Sequence, residues 1–292
     1  MPVLIKSLFA QQTNCHSFVV NSGIDYLSNR AQFWRQRKPI YARQTNKTNV
    51  TPMSDPLVDF MVSINKIEKT DDFKEAMTIA EKEIQKIERC TEKQLQLSGI
   101  KQGSSARVSK QHLISEICMT AGNWALIEYQ EKKDDKVFDK AEDNFKKVIK
   151  LGAKQKDKSK SKDYQSSALE RLGRLYVIKG DLTNAITTWE QRETLIYDQK
   201  EELVVLYHDL GRAYLSKGNT EKALENANHS FSNVRDQGWK MNVMVLLAEI
   251  HLAKNEVKQA KVKLENCLTI ARSENDTSAE KAVLDLLSRL RA

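Results

Sequence analysis

The 292 residues carry 29% charged and 40% hydrophobic side chains with only 10 glycines and 4 prolines, a balance that excludes a turn-rich β-sandwich or propeller and favours helices. The formal charge of +8 is lopsided: Met1–Val50 holds seven basic residues against the single acid Asp25, so the remaining 242 residues carry +2. The most apolar stretch, Met241–Ala253, is interrupted by Asn242, Glu249 and His251, so no membrane span and no membrane partner are expected.

In chain order, residues 1–55 read as a basic, partly disordered N-terminal arm. Met1–Val20 has one lysine, Lys6, and no arginine, which argues against a mitochondrial presequence. Ile24, Leu27, Ala31 and Trp34 share one face of a short helix expected at about 24–38. It should stop at Lys38, because Pro39 disfavours helix at the residue before it. Phe33 and Trp34 stand beside Arg35, Arg37 and Lys38, with Tyr41 and Arg43 following. Tryptophan and arginine are enriched at binding hot spots, and so short a helix has too little core of its own. Trp34 is therefore expected to be buried either by a partner or by the rest of the chain. The local charge is that of a solvated tail or of a segment meeting an anionic partner: nucleic acid, an acidic protein surface or tubulin.

Residues 56–292 read as an array of helix pairs, clearest over 166–275. Leu57, Phe60, Met61, Ile64 and Ile67 suit a first helix, and Phe73, Ala76, Ile79, Ala80, Ile84 and Ile87 its partner. Leu113, Ile114, Ile117, Cys118, Trp124 and Ile127 fit a longer helix, paired with one through Phe138, Ala141, Phe145 and Val148. The spacing of these weaker units leaves Gln96–Lys110 and Gly152–Asp163 as inserted loops, the second holding the low-complexity run Lys154–Lys162. Next come three matching units: Leu172-Gly173 with Tyr176, Gly180-Asp181, Ala185 and Trp189; Leu210-Gly211 with Tyr214, Gly218-Asn219, Ala223 and Ala227; Leu247-Ala248 with His251, Asn255-Glu256, Ala260 and Leu264. Ala185, Ala223 and Ala260 are 38 and 37 residues apart. A residue at the closest approach of two antiparallel helices cannot be bulky, hence Gly or Ala there. Gly180 and Gly218 suit a left-handed helix end, and Asp181 and Asn219 can cap the next helix. Such a unit cannot bury both faces alone, so neighbours must stack and the last must be capped, a role that suits Ser278–Leu290. The pattern resembles the tetratricopeptide repeat and implies an all-α helical solenoid.

No constellation for catalysis or for a cofactor is visible. Gly99–Gly103 lacks the strand a phosphate loop requires, the five histidines form no HExxH, and no serine sits in a GxSxG elbow. The four cysteines lack any CxxC pair and suggest a reducing compartment. The expected function is surface recognition by the first helix of each unit. The concave-facing positions are Glu170 and Arg174, His208 and Arg212, then Val245 and Glu249. Stacked arginines can hold an acidic peptide by charge-assisted hydrogen bonds; the other reading is solvated arginines paired with Glu170 or Glu249. A carboxylate clamp for chaperone tails needs lysine and asparagine at these positions, and the residues here depart from it.

In the arm, Tyr26-Leu27, Arg30, Phe33-Trp34-Arg35-Gln36 and Lys38-Pro39-Ile40-Tyr41-Ala42-Arg43 resemble the segment before the C-terminal repeats in the tetratricopeptide-repeat subunits of the outer dynein arm docking complex. The repeats from Leu169 to Leu264 are similar in order and spacing. The resemblance implies a non-enzymatic scaffold in the cytoplasm and the axoneme of motile cilia. The partners it implies are other coiled-coil docking subunits, outer arm dynein and the doublet microtubule. That family also has an N-terminal repeat set without a counterpart here, so a shortened member is expected. Two other readings stand beside it: an RNA-binding helical-repeat protein using Phe33, Trp34 and Tyr41 to stack bases, and a general cytosolic adaptor.

Overall fold

A computed structural model of the chain describes residues 55–70, 72–101, 109–155 and 157–290. The expected arm up to residue 54, with its helix at about 24–38 and Phe33 to Arg43, lies outside them. Among the described residues all regular structure is helical: α1 (Pro56–Lys69), α2 (Phe73–Arg89), α3 (Glu92–Lys101), α4 (Lys110–Lys132), α5 (Asp135–Gly152), α6 (Lys158–Lys179), α7 (Leu182–Ile196), α8 (Lys200–Ser216), α9 (Thr220–Asn233), α10 (Gln237–Ala253), α11 (Val257–Ser273) and α12 (Thr277–Arg289). Helices α1, α2 and α4–α12 lie in one unit, which α3 leaves after Gln96.

The turns follow from local chemistry. Gly180 (φ 86°) and Gly218 (φ 76°) close α6 and α8 in the left-handed region, and Asn255 (φ 63°) and Asn275 (φ 55°) occupy the same place after α10 and α11. These are the residue types that tolerate that conformation at least cost. The next residue then opens the following helix. Asp181 accepts from the Asn184 amide at 3.1 Å, Asn219 from Lys222 at 3.0 Å and Asp276 from Ala279 at 2.9 Å. Each satisfies one of the amides that a helix start leaves unpaired. Glu256, in the corresponding place before α11, makes no side-chain cap bond.

In the α4–α5 and α6–α7 pairs the small residue of the first helix meets the side chain four residues beyond the contact alanine of the second, whereas a methyl at Gly211 would meet the Leu246 side chain of the next repeat at 3.1 Å and the Ala223 carbonyl at 3.3 Å. A methyl group added at Gly173 would lie 2.2 Å from Trp189 Nε1, and one at Gly122 would lie 2.7 Å from the Phe145 ring. Gly122 thus marks the equivalent contact of the α4–α5 pair, a glycine inside a helical pattern whose meaning the sequence reading missed. Within the unit, α1 packs on α2 and α2 on α4, and from α4 to α12 each helix packs on the next; α4 also touches α1 and α6, and α8 touches α10. Ala185, Ala223 and Ala260 are fully buried at the contacts. The final pair buries Leu264, Cys267 and Ala271 of α11 with Val283 and Leu287 of α12, whose Lys281, Leu284, Asp285, Ser288 and Arg289 are exposed.

Three expectations need correction. Gly152–Asp163 is not a loop throughout: α6 begins at Lys158, because the Asp157 carboxylate accepts from the Ser159 and Lys160 amides at 3.0 and 3.2 Å and lysine is a good helix former. Gln96–Lys110 likewise starts inside a helix, α3, in which Leu95 is fully buried. Ile127, placed on the apolar face of its helix, is half exposed instead, while Ala121, Ala125 and Tyr129 supply that face.

Candidate functional site

The candidate groove residues lie on the first helices of successive pairs, as their register requires: Glu170 and Arg174 on α6, His208 and Arg212 on α8, and Val245 and Glu249 on α10. Their charges are engaged with one another. Arg174 Nη2 is 3.2 Å from Glu170 Oε1 and 3.7 Å from Asp209 Oδ2, which carries the network from α6 to α8. A separate pair spans the next step, where Arg212 Nη1 on α8 donates to Glu249 Oε2 on α10 at 3.2 Å. His208 lies 3.4 Å from Asp209 and edge-on to the Trp239 ring at 5.6 Å. The arrangement is an alternating ladder of cations and carboxylates. An incoming acidic peptide must compete with resident carboxylates for both arginines, whereas a segment with both signs can exchange pairs along the ladder.

The α4–α6 step uses a different set. The Tyr164 hydroxyl donates to the Glu116 carboxylate and stands 2.5 Å from His112 Nδ1. Burial holds the His112 imidazole below its ordinary pKa, Glu116 opposing the shift and Lys160 adding to it.

One ion in this region escaped the sequence reading. Arg192 on α7 is 2% exposed, and its guanidinium reaches Glu202 Oε2 on α8 at 2.5 Å, Glu170 Oε2 on α6 at 3.5 Å and Ser166 Oγ at 3.2 Å. It thereby joins three helices across two repeats. Its register gives the signal: Ala185, Trp189, Arg192 and Ile196 form one apolar stripe, so a cation there has to be buried. The equivalent residues, seven after the contact alanine, also turn polar atoms back to their own first helix. Ser230 Oγ donates to the Val204 carbonyl at 2.7 Å, and Cys267 Sγ faces the Met241 carbonyl at 3.6 Å. Ser166, Val204 and Met241 each precede the small contact residue by seven.

On the opposite side of the repeats, tyrosines of a first helix bond carboxylates of the preceding second helix. Tyr176 donates to Glu142 at 2.5 Å, Tyr214 to Glu190 at 2.7 Å and Tyr207 to Glu193 at 2.6 Å. Burial and the facing carboxylate push Tyr207 and Tyr214 up to about 12 and raise Tyr176 further. Where His251 replaces the tyrosine, the ring turns to Glu256 of its own pair at 2.6 Å. A cavity of about 200 Å³ opens between α7, α8 and α9, with Glu193, Tyr207, Tyr214, Lys222 and Glu225 in its wall. Among the described residues no group of three His, Cys, Asp or Glu is arranged to hold a metal ion. None of the described helices is long and apolar enough to cross a membrane.

Comparison with known proteins agrees with this geometry. Residues 204–232, spanning most of α8 and α9, match the tetratricopeptide repeat model. The crystal structure of BtubC from P. vanneervenii superposes with a TM-score of 0.50 at 13% identity, over 76% of this chain and 92% of that one. That of a Podosopora anserina putative kinesin light chain with TPR-like repeats superposes with a TM-score of 0.51 at 15% identity, over 77% and 100%. The chain is an all-α protein of the tetratricopeptide-repeat solenoid class.

Its sequence relatives are more particular. The chain is 28% identical to outer dynein arm-docking complex subunit 4 of Xenopus laevis over 96% of its own length and 51% of that protein's. It is 27% identical to the Danio rerio protein of that name over 99% and 57%, and 26% identical to the Homo sapiens one over 92% and 39%. The chain thus spans about half the length of the curated relatives it matches. The likeness read from the arm and the repeats is a likeness to these docking-complex subunits along almost the whole chain.

Proposed function

We propose that this chain is a non-enzymatic interaction scaffold that helps dock and assemble outer dynein arms on axonemal doublet microtubules, and that it works in the cytoplasm and the ciliary axoneme. The observation that carries this reading is the match to docking-complex subunits over 92–99% of the chain, arm included. The repeats support it physically, since stacked helix pairs present a row of homologous side chains from separate helices to one extended partner. Its partners are the other, coiled-coil docking subunits, outer arm dynein and the doublet. Contact falls to Phe33, Trp34, Arg35, Arg37, Lys38, Tyr41 and Arg43 in the arm, and to the ladder Glu170, Arg174, His208, Arg212 and Glu249. Tagged chain expressed in ciliated cells should sediment with axonemes and co-purify with outer-arm dynein and coiled-coil docking subunits after salt extraction. A tagged chain confined to the soluble fraction, with no axonemal partner, would contradict the proposal.

A further inference from the structure

Apart from the arm, lysine is densest in one stretch of the body. Residues 150–163 hold six lysines and two aspartates, a net +4; with this stretch and Met1–Val50 set aside, the other 228 residues sum to −2. Lys150 lies in the last turn of α5, Lys154 follows in the turn, and Lys158, Lys160 and Lys162 open α6. Asp157 directs its carboxylate to the start of α6, and the first turn of that helix carries no acid. Lysines at the positive end of a helix repel its dipole, so a bound anion relieves them. Earlier on α5 the lysines are matched: Lys140, Lys146 and Lys147 pair with Glu81, Glu142 and Glu88. Lys150, Lys154, Lys158 and Lys160 form no ion pair among the described residues, and the first three are exposed. Beside them Lys162 lies 5.1 Å over the ring of Tyr197, which is 69% exposed.

We propose that Lys150, Lys154, Lys158 and Lys160 form a docking surface for an acidic protein segment, a run rich in glutamate or aspartate. The chemistry favours a polypeptide over nucleic acid. The stretch contains no arginine, the residue suited to gripping phosphates bidentately; of the two aromatics beside it, Tyr197 already has a lysine over its ring and half-buried Tyr164 gives its hydroxyl to Glu116. Ammonium groups on flexible stems need only point charges opposite them. The surface differs from the ladder, where carboxylates already engage both arginines, and it holds for whichever protein presents the acidic run, in a cilium or elsewhere.

The test is binding of a fluorescent oligoglutamate peptide to the full chain, followed by anisotropy at low salt and at about 0.15 M salt. The native chain should bind at low salt and weaken as salt rises. Joint substitution of Lys150, Lys154, Lys158 and Lys160 by glutamine should weaken binding about tenfold, the sum of several exposed ion pairs. The variants Lys150→Gln/Lys154→Gln and Lys158→Gln/Lys160→Gln should each weaken it about threefold, and they serve if the fourfold variant fails to fold. Glutamine at Lys258 and Lys261 of α11 should leave it unchanged. Failure of the peptide to bind at low salt would overturn the proposal. So would equal binding by native and substituted chains, with the loss falling instead on an Arg35→Gln/Arg37→Gln/Lys38→Gln arm variant. A single-stranded oligonucleotide that outcompetes the peptide through the same lysines would overturn it as well.

Discussion

Removing the Arg192 guanidinium takes the cation from between Glu170, which is 4% exposed, and Glu202. Arg174 still reaches Glu170, but at its other carboxylate oxygen and from one turn along the same helix. Breaking a buried pair by deleting one partner leaves charge without compensation, so Arg192→Ala is expected to cost about 3–5 kcal/mol in chemical denaturation. Arg192→Met combined with Glu170→Gln should recover much of that loss, since the buried carboxylate is gone and the methionine fills the space; no recovery would show that packing, rather than charge, sets the cost. A second test concerns space. Gly173→Ala places a methyl 2.2 Å from Trp189 Nε1 and should cost about 1–3 kcal/mol. In a Trp189→Leu background the same alanine should cost much less, and additivity of the two changes would refute the contact.

At the scale of the element, the repeated turn separates conformation from crowding. A methyl at Gly180 meets no atom within 4 Å, yet its φ is 86°, so Gly180→Ala should cost roughly 1–2 kcal/mol from backbone strain alone. Asp181→Ala should cost about 1 kcal/mol by removing the bond to the Asn184 amide. That amide and the Asn184 side chain hold the Asp181 carboxyl below the usual aspartate range, so its contribution is present at neutral pH and is lost as pH falls through the lowered value. Thermal melts of both variants at neutral and acid pH check the two effects, and the Asp181 difference should shrink in acid. Gly180, Asp181, Gly218 and Asn219 were legible in the sequence because turn chemistry is local. The start of α6 was not, since a lysine-rich run reads as a solvated loop unless Asp157 is seen as its cap. Arg192 was hidden for the converse reason: a charged residue in an apolar stripe looks like a break in the pattern, and its partners Glu170 and Glu202 lie on other helices. The placing of Glu170, Arg174, His208, Arg212 and Glu249 on first helices followed from register alone, whereas the pairing of Arg174 with Asp209 depends on how one repeat stacks on the next.

For the whole molecule, several buried acids share one direction. Burial raises the Cys118 thiol to about 11 and the Cys267 thiol to about 12, and Tyr207 and Tyr214 stand at about 12 through burial and their carboxylate partners. Each holds its proton in the fold to a higher pH than in the unfolded chain, so its stabilising contribution is full below about pH 9 and is lost as pH rises towards 12. Denaturation midpoints should accordingly be level from pH 7 to 9 and then fall steeply, and a flat profile to pH 11 would contradict these placements. The proposed docking role belongs to this scale too, because Tyr164–Glu116, Arg174–Asp209 and Arg212–Glu249 join first helices of successive pairs into one stack. The most direct test is electron cryo-tomography of axonemes from ciliated cells depleted of this chain. Outer arms should be missing from the doublets while the inner arms remain, and a full complement of outer arms in those axonemes would contradict the docking role.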